Sequence, residues 1–433
     1  MPIMKSWQTK LLAAGAVLFV AACAAYAPIE WTSQAIKESA APIEEKEGKK
    51  LQVRYNEDPY KPFANTNWSK YRTYAYNEVI ASPPVVKAEM PKDIKGDPEK
   101  GKKLFQDRSK APCTGCHVVR DDIWPMGDVG PSLVKFGEKK FSDELVYSMV
   151  YDMRSFNKDS YMPPWGTSGA FTPEEIVHLV AYLQSQKGPA VKRKDPNIDP
   201  ATRYVSEGFG DNLDPTNNPA IAMAEAASAK VWKKAGPNGK TCESCHAGGP
   251  AKMVGVATKW PQFSKIYGRT MSIEDFLAPH SRDTMGANLL PAQGNDNILT
   301  TVAIKMASNG MKQNIDLSTP EMQAALERGK ATFYNRVGQR NHACADCHLE
   351  DRGGNKFLGG RKLPKVDMPM NLHFPTFRTN FSKVWDIRKR FQWCTLPLGM
   401  NFIPGDSIEY AELELYLASF GQGKVLRVPG LGH

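Results

Sequence analysis

Three short repeats constrain what this chain can fold into: Cys113-Thr114-Gly115-Cys116-His117, Cys242-Glu243-Ser244-Cys245-His246 and Cys344-Ala345-Asp346-Cys347-His348. Each is a pair of cysteines spaced C-x-x-C with a histidine directly behind it. This is the attachment pattern of a c-type haem: the thiols form thioethers to the porphyrin vinyl groups, and the adjacent histidine lies beneath the iron. One copy alone also fits a zinc or redox site. Three copies, each behind a helical pattern, point to three covalently bound haem c groups.

The flanks of the repeats support helices. Asp97-Pro98-Glu99-Lys100-Gly101-Lys102-Lys103-Leu104-Phe105 precedes the first motif, residues 223–234 the second, and Thr319-Pro320-Glu321 through Arg328-Gly329-Lys330-Ala331-Thr332-Phe333 the third. Pro320 suits a first helical turn, where its missing N–H leaves no bond unmade. Closing helices are expected too. Thr172-Pro173-Glu174-Glu175 is a capping box leading into Ile176, Leu179, Val180 and Leu183 on one face. Residues 407–417 place Tyr410, Leu413 and Leu417 on one face, and residues 297–306 offer the middle unit's closing helix. A haem clamped between an opening and a closing helix is the small cytochrome c plan. The expected fold is mainly α, with three tandem cytochrome c-type haem domains.

The N-terminus reads as an export signal of residues 1–27. Lys5 and Lys10 form a basic region and residues 11–19 an apolar one. Val20-Ala21-Ala22-Cys23 resembles a lipobox, which would make Cys23 a lipid anchor. Cleavage after Ala27 and an uncleaved anchor are the alternatives. Export places the protein in the periplasm, tethered to the membrane if Cys23 is lipidated. Residues 28–94 form a polar N-terminal extension without a clear period, and residues 188–219 a linker rich in Pro, Asp, Asn and Gly. The haem units then span 95–187, 220–315 and 316–433. A formal net charge of +10 favours anionic substrates or acidic partners. No nucleic-acid motif accompanies it, so nucleic acid is not expected as a partner.

The ligand opposite each histidine sets what each haem does. In unit one Met162, in Tyr161-Met162-Pro163-Pro164, lies 45 residues after His117 and just before the closing helix. It is preferred over Met126 and Met153. In unit three the matching distance, 46 residues after His348, lands on Cys394, with Met368 and Met400 placed less well. Cys394 follows Arg388, Lys389 and Arg390, and neighbouring cations favour a thiolate, which is both a ligand and a nucleophile. In unit two His280 follows the turn-like Ala278-Pro279, and Met285 is the alternative. A thiolate lowers an iron potential and a thioether raises it, so electrons released at haem three are expected to run downhill to haem one.

These residues resemble the SoxXA family, the c-type cytochromes of bacterial sulfur oxidation also described as L-cysteine S-thiosulfotransferase. The SoxX-like stretch, residues 95–187, carries the first motif, Gly130-Pro131-Ser132-Leu133, Met162-Pro163 and Val180-Ala181-Tyr182-Leu183. The diheme SoxA-like stretch carries Arg328-Gly329-Lys330, Phe333-Tyr334-Asn335-Arg336, Gly338-Gln339, the third motif, Lys389-Arg390-Phe391 before Cys394, and Glu409-Tyr410 with Leu413-Glu414-Leu415-Tyr416-Leu417. The resemblance implies an enzyme with Cys394 as its active-site residue and Arg390 beside it. That enzyme joins thiosulfate oxidatively to a cysteine of a SoxYZ-type carrier and passes two electrons to a soluble cytochrome c. Two departures stand out. The family commonly has a cysteine on its second haem, where this chain has His280. It tends to have an arginine five residues after the active cysteine, where this chain has Gly399, leaving Lys383 or Arg388 as substitute cations. A purely electron-carrying three-haem subunit and a tetrathionate-forming thiosulfate dehydrogenase are the rival readings.

Overall fold

The computed structural model describes residues 82–111, 113–123, 125–191, 217–367, 370–395, 399 and 403–432. The export signal with Cys23, most of the extension and linker, Met368 and Met400 lie outside these residues. The described chain is mainly helical, with a few short antiparallel ribbons. Among the described residues no helix is long and apolar enough to cross a membrane.

Unit one opens with α1 (Pro98–Gln106), capped by the Asp97 side chain, which accepts from the amides of Glu99 and Lys100. It continues through α2 (Asp143–Tyr151) and closes with α3 (Pro173–Ser185), whose Thr172/Glu175 capping box is formed. Unit two has α4 (Pro219–Lys233), α5 (Ile273–Met285) and α6 (Asn295–Met306). Unit three opens with α7 (Pro320–Tyr334), carries α8 (Ile387–Thr395) and closes with α9 (Ile408–Ser419). The cysteine motifs sit on short turns just after the opening helices.

The opening and closing helices cross at contact distance, and glycine is what allows it. A Cβ on Gly101 would lie 2.0 Å from the His178 carbonyl oxygen on α3, and one on Gly329 would lie 1.9 Å from the Glu412 carbonyl oxygen on α9. Both glycines precede a buried phenylalanine by one helical turn, Phe105 and Phe333. The corresponding place on α4 holds the small buried Ser228, one turn before the buried Trp232.

Units two and three share apolar cores. Ala220, Ala224 and Ile298 pack with Val384 and Val428, and Trp232, Ile273 and Ile304 with Leu372 and Leu426. Two antiparallel ribbons, β1 (Gln262–Ser264) with β2 (Arg269–Met271) and β3 (Phe357–Leu358) with β4 (Arg361–Lys362), accompany a small sheet that contributes to this seam, in which β5 (Thr376–Arg378) pairs antiparallel with β6 (Lys383–Trp385) and parallel with β7 (Gly430–Gly432). Unit one docks on unit three through polar contacts. The Asp128 amide donates to the Phe357 carbonyl and the Gly359 amide to the Gly115 carbonyl, at 3.0 and 2.7 Å. Arg336, paired with the buried Asp346, also donates to the carbonyls of Ser160 and Asp159. Arg340 donates to the Lys110 carbonyl and lies over Trp165.

A buried ionic cluster fixes α8. Arg388, 2% exposed, donates to Asp275 on α5 at 2.8 Å, to Glu414 on α9 at 2.6 Å and to the Gly405 carbonyl at 2.9 Å. Burial opposes its charge, but Asp275 and Glu414 hold its pKa above the ordinary value. Arg388 is therefore a structural tie, not a substrate-binding cation, because every direction its guanidinium faces is taken. Glu274 is paired with Lys305 at 3.1 Å. Asp386 caps α8 by accepting from the Lys389 amide, and its other oxygen is buried without a hydrogen-bond partner. Burial, with Glu274 nearby, pushes its carboxyl up to about 6.

Two outcomes are expected. Gly101→Ala and Gly329→Ala each drive a methyl group into backbone that cannot yield, and each should lower stability by about 1–3 kcal/mol or more in chemical denaturation; a change below about 0.5 kcal/mol would show that the helices separate freely. Asp386 binds its proton more tightly folded than unfolded, so its contribution to stability falls as pH rises from the ordinary carboxyl value of 3.8 through about 6. Asp386→Asn keeps the cap oxygen, so the variant should gain stability over the parent as pH rises from 4 to 7; a pH-independent difference contradicts this.

Candidate functional site

At units one and three the attachment motifs face a single cavity of about 1550 Å³. Cys113, Cys116, His117 and Met162 line one part, and Cys344, Cys347, His348 and Cys394 the other. A pocket for one small ligand usually measures about 300–1,000 Å³, so this space suits two large flat groups. Its walls are apolar, with Phe105, Leu179 and Leu183 at one end and Phe333, Phe391 and Leu413 at the other.

Both motif histidines are oriented in the same way. His117 Nδ1 lies 2.8 Å from the Pro131 carbonyl oxygen, and His348 Nδ1 lies 2.7 Å from that of Pro364. A carbonyl can only accept, so Nδ1 carries the proton and Nε2 keeps a lone pair for a metal. Burial lowers the pKa of both rings, which keeps them neutral, the form that ligates. Gly130 makes room for the first ring: a Cβ there would come within 2.4 Å of His117 Cε1. Burial pushes the Cys113, Cys116 and Cys344 thiols up to about 12, 11 and 12. The residues present thus fit covalently held haem. Met162 lines the cavity, as do Met149 and Met153, whereas Met126 is fully buried in the core of unit one.

Unit two is built differently. His246 and His280 face each other with ring centres 6.1 Å apart and planes 50° apart. Two imidazoles on one metal, each bonded at about 2 Å, have centres roughly this far apart. His280 stacks on Phe276 at 5.0 Å, and burial, then the nearby His246, lowers its pKa. The expectation of a turn before His280 is corrected: Pro279 and His280 lie inside α5, which is held by a Ser272/Asp275 capping box and ends at Gly286. The strong N-terminal cap and buried Ile273 and Ala278 outweigh the one backbone bond that proline removes. Met285, the alternative, is the buried last residue of α5 and packs on Gly236. Cys245 and His246 are exposed, unlike their half-buried counterparts in units one and three.

Cys394 is half-buried on α8, with Arg390 one turn before it on the same face. Two further arginines, which the sequence reading missed, stand within electrostatic reach of Cys394: Arg361 on β4 (Arg361–Lys362) and Arg378 on β5. Burial first, then Arg390 and Arg361, lowers Arg378 to about 10. Among the described residues no carboxylate pairs with any of the three. Arg378 Nε and Arg390 Nη1 are buried without a hydrogen-bond partner among those residues. Arg361 and Arg390 lie over the exposed Trp393 ring at 5.1 and 4.7 Å, and Arg378 lies over Trp385 at 5.6 Å. Crowded cations with unmet donors make a place for an anion. Lys383 is exposed on β6, opposite Arg378 in the strand register. Gly399 adopts φ +68°, and its carbonyl accepts from the Gln339 amide. The signal for Arg361 and Arg378 was weak, since both lie in short ribbons far from Cys394 in sequence.

The chain is similar to known cytochromes. A family model described as SoxA/TsdA, cytochrome c domain, matches residues 227–313, and one described as cytochrome C oxidase, cbb3-type, subunit III, matches residues 96–183. These are cytochrome c domains, which carry covalent haem. A solved structure of SoxXA from P. pantotrophus shares 27% identity, covering 53% of this chain and 87% of that one, with a TM-score of 0.48. The L-cysteine S-thiosulfotransferase subunit SoxA of Pseudaminobacter salicylatoxidans is 29% identical over 215 residues, 49% of this chain and 73% of the relative. The same subunit from Paracoccus pantotrophus is 31% identical over 211 residues, 48% of this chain and 70% of the relative, and on this likeness the chain belongs to the SoxA family.

Proposed function

We propose that this chain is an exported three-haem cytochrome that conjugates thiosulfate to a cysteine of a SoxYZ-type carrier protein and delivers two electrons to a soluble cytochrome c. The observation that carries the proposal is Cys394 within electrostatic reach of Arg361 and Arg378 and one helical turn from Arg390, three arginines with no carboxylate partner among the described residues, in a cavity wall that His348 also lines. The SoxA relatives support the reaction type. In this reading haem c is bound through Cys113/Cys116, Cys242/Cys245 and Cys344/Cys347. His117 and Met162 ligate the first iron, His246 and His280 the second, and His348 and Cys394 the third. Haem bound at these residues would supply the acceptor for the electrons released by sulfur oxidation.

The protein's own groups do the rest. The arginines hold the sulfonate end of thiosulfate by charge-assisted hydrogen bonds and leave its outer sulfur at Cys394. A bond forms between that sulfur and Cys394 Sγ as two electrons leave. The carrier thiolate attacks the same sulfur, the bond to Cys394 breaks, and the thiosulfonate group departs on the carrier with Cys394 restored. In sum, thiosulfate and a carrier thiol give the conjugate, one proton and two electrons. The shared cavity of units one and three supports a short path from the site of chemistry to the unit with the methionine. Cys23 supplies a lipid tether if the export signal is processed as a lipoprotein's.

Cys394→Ala should keep all three haems, by pyridine haemochrome count, and lose carrier conjugation by at least about a thousandfold, as removal of a covalent nucleophile does. Conjugation at a near-parental rate would rule out the covalent role. Arg378→Ala and Arg361→Ala should each raise KM for thiosulfate roughly ten- to a hundredfold, the loss of about 1.5–3 kcal/mol expected for a hydrogen bond to a charged group. An unchanged KM in both variants would remove these arginines from the substrate site.

A further inference from the structure

The exposed setting of the second haem motif continues into a surface that the proposed reaction does not use. Lys252 lies across Gly248, two residues beyond His246: a Cβ on Gly248 would come within 2.9 Å of the lysine stem. Met253 packs in the same apolar cluster as Cys242, Trp232 and Leu426. Above that cluster three hydrophobic side chains face solvent: Val254 is 63% exposed, Met311 39% and Val425 38%. They stand on adjoining stretches of backbone. Met311 Cε reaches to 3.5 Å of where a Cβ on Gly255 would stand, the Leu426 amide donates to the Met311 carbonyl, and Lys312 is bridged to Val425. The exposed cations Lys252, Lys312, Lys424 and Arg427 stand around this patch. Lys240 stands on the far side of the cysteine motif, and Glu243 is the acidic residue within the motif itself.

An apolar patch edged by lysines is the form of a transient interface with an acidic partner. The patch allows close approach, and the lysines raise the encounter rate without making a tight complex. An isolated exposed valine would mean nothing. Two valines and a methionine on adjoining backbone, next in sequence to Met253 and Leu426 of the cluster that holds Cys242, form a patch beside the second haem motif. We propose that the face formed by Lys252, Val254, Met311, Lys312 and Val425 docks an acidic one-electron carrier protein against the second haem. This rests on the reading of Cys242 and Cys245 as a haem site and is independent of the chemistry at Cys394. One electron crosses between the haem and the carrier's own centre; no proton or group is transferred. The port is distinct from unit one, whose haem shares the cavity with unit three.

The test uses the holoprotein and a plant plastocyanin, an acidic one-electron copper carrier, as the probe. Carbodiimide cross-linking at low ionic strength, mapped by mass spectrometry, should join plastocyanin carboxylates to Lys252 and Lys312. Titration should give an affinity that weakens steeply with salt. The double variant K252E/K312E should weaken binding roughly tenfold or more, while K100E/K103E on α1 leaves it unchanged. Haem content should be parental in both variants, and thiosulfate conjugation with a small dye as oxidant should be unaffected. Cross-links confined to the lysines of unit one, binding that K252E/K312E leaves intact, or no binding at low salt would each overturn the proposal. Failure of conjugation in the parent protein would instead remove the reaction assigned to Cys394 and leave the docking face standing.

Discussion

The structure depends on two helices crossing at backbone contact. In units one and three the opening helix must come so close to the closing helix that no side chain fits between them, and Gly101 and Gly329 stand at those crossings. A glycine inside a helix costs about 1 kcal/mol relative to alanine. Here it is offset by the packing it permits. Phe105 and Phe333, one turn on, are then driven into the core beside the haem cavity, and the cysteine motif follows directly. The crossing thus sets where the thiols and the histidine begin.

Orientation is a second layer on that frame. Each motif histidine in the shared cavity spends one ring nitrogen on a proline carbonyl, so the other is aimed and kept unprotonated. Proline suits this role because its own backbone carries no N–H that needs a partner. On the opposite side, α8 carries Cys394 and Arg390, and its position is fixed from behind by the Arg388 cluster. Such a cluster is weak evidence for stability, since desolvation offsets much of the attraction. Its value is directional: the guanidinium bonds α5 and α9 at once, so the cysteine-bearing helix cannot slide relative to either.

Much of this was legible in the sequence. The opening and closing helices follow from local signals, the Thr172 capping box and the apolar spacing, and the structure adds caps at Asp97, Thr319 and Ser407. The helix through Pro279 was not legible, because a proline normally signals an end and the compensating cap lies seven residues earlier at Ser272. Nor were the roles of the arginines around Cys394. Arg388 and Arg390 are two residues apart and equally charged, yet one is locked in an ion cluster and the other lines the cavity. A helix turns about 200° in two residues, so adjacent cations meet opposite environments. Arg361 and Arg378 come from ribbons whose strands are two or three residues long, too short for any period to betray them.

The absence of an arginine at Gly399 is one of the two places where this chain departs from the family resemblance, and the geometry gives a physical account of it. A left-handed φ of +68° at this position is strained for a residue with a Cβ, so an arginine there would require a different turn. The Gly399 carbonyl itself accepts from the Gln339 amide. A cationic site does not need its charges to come from one segment; it needs enough donors converging on one anion. Arg378 is buried and depressed to about 10 by burial and by its two neighbours, which is the condition of a guanidinium crowded by like charges. An anion with oxygen acceptors relieves that crowding, and on the proposed reaction its sulfur would lie at Cys394.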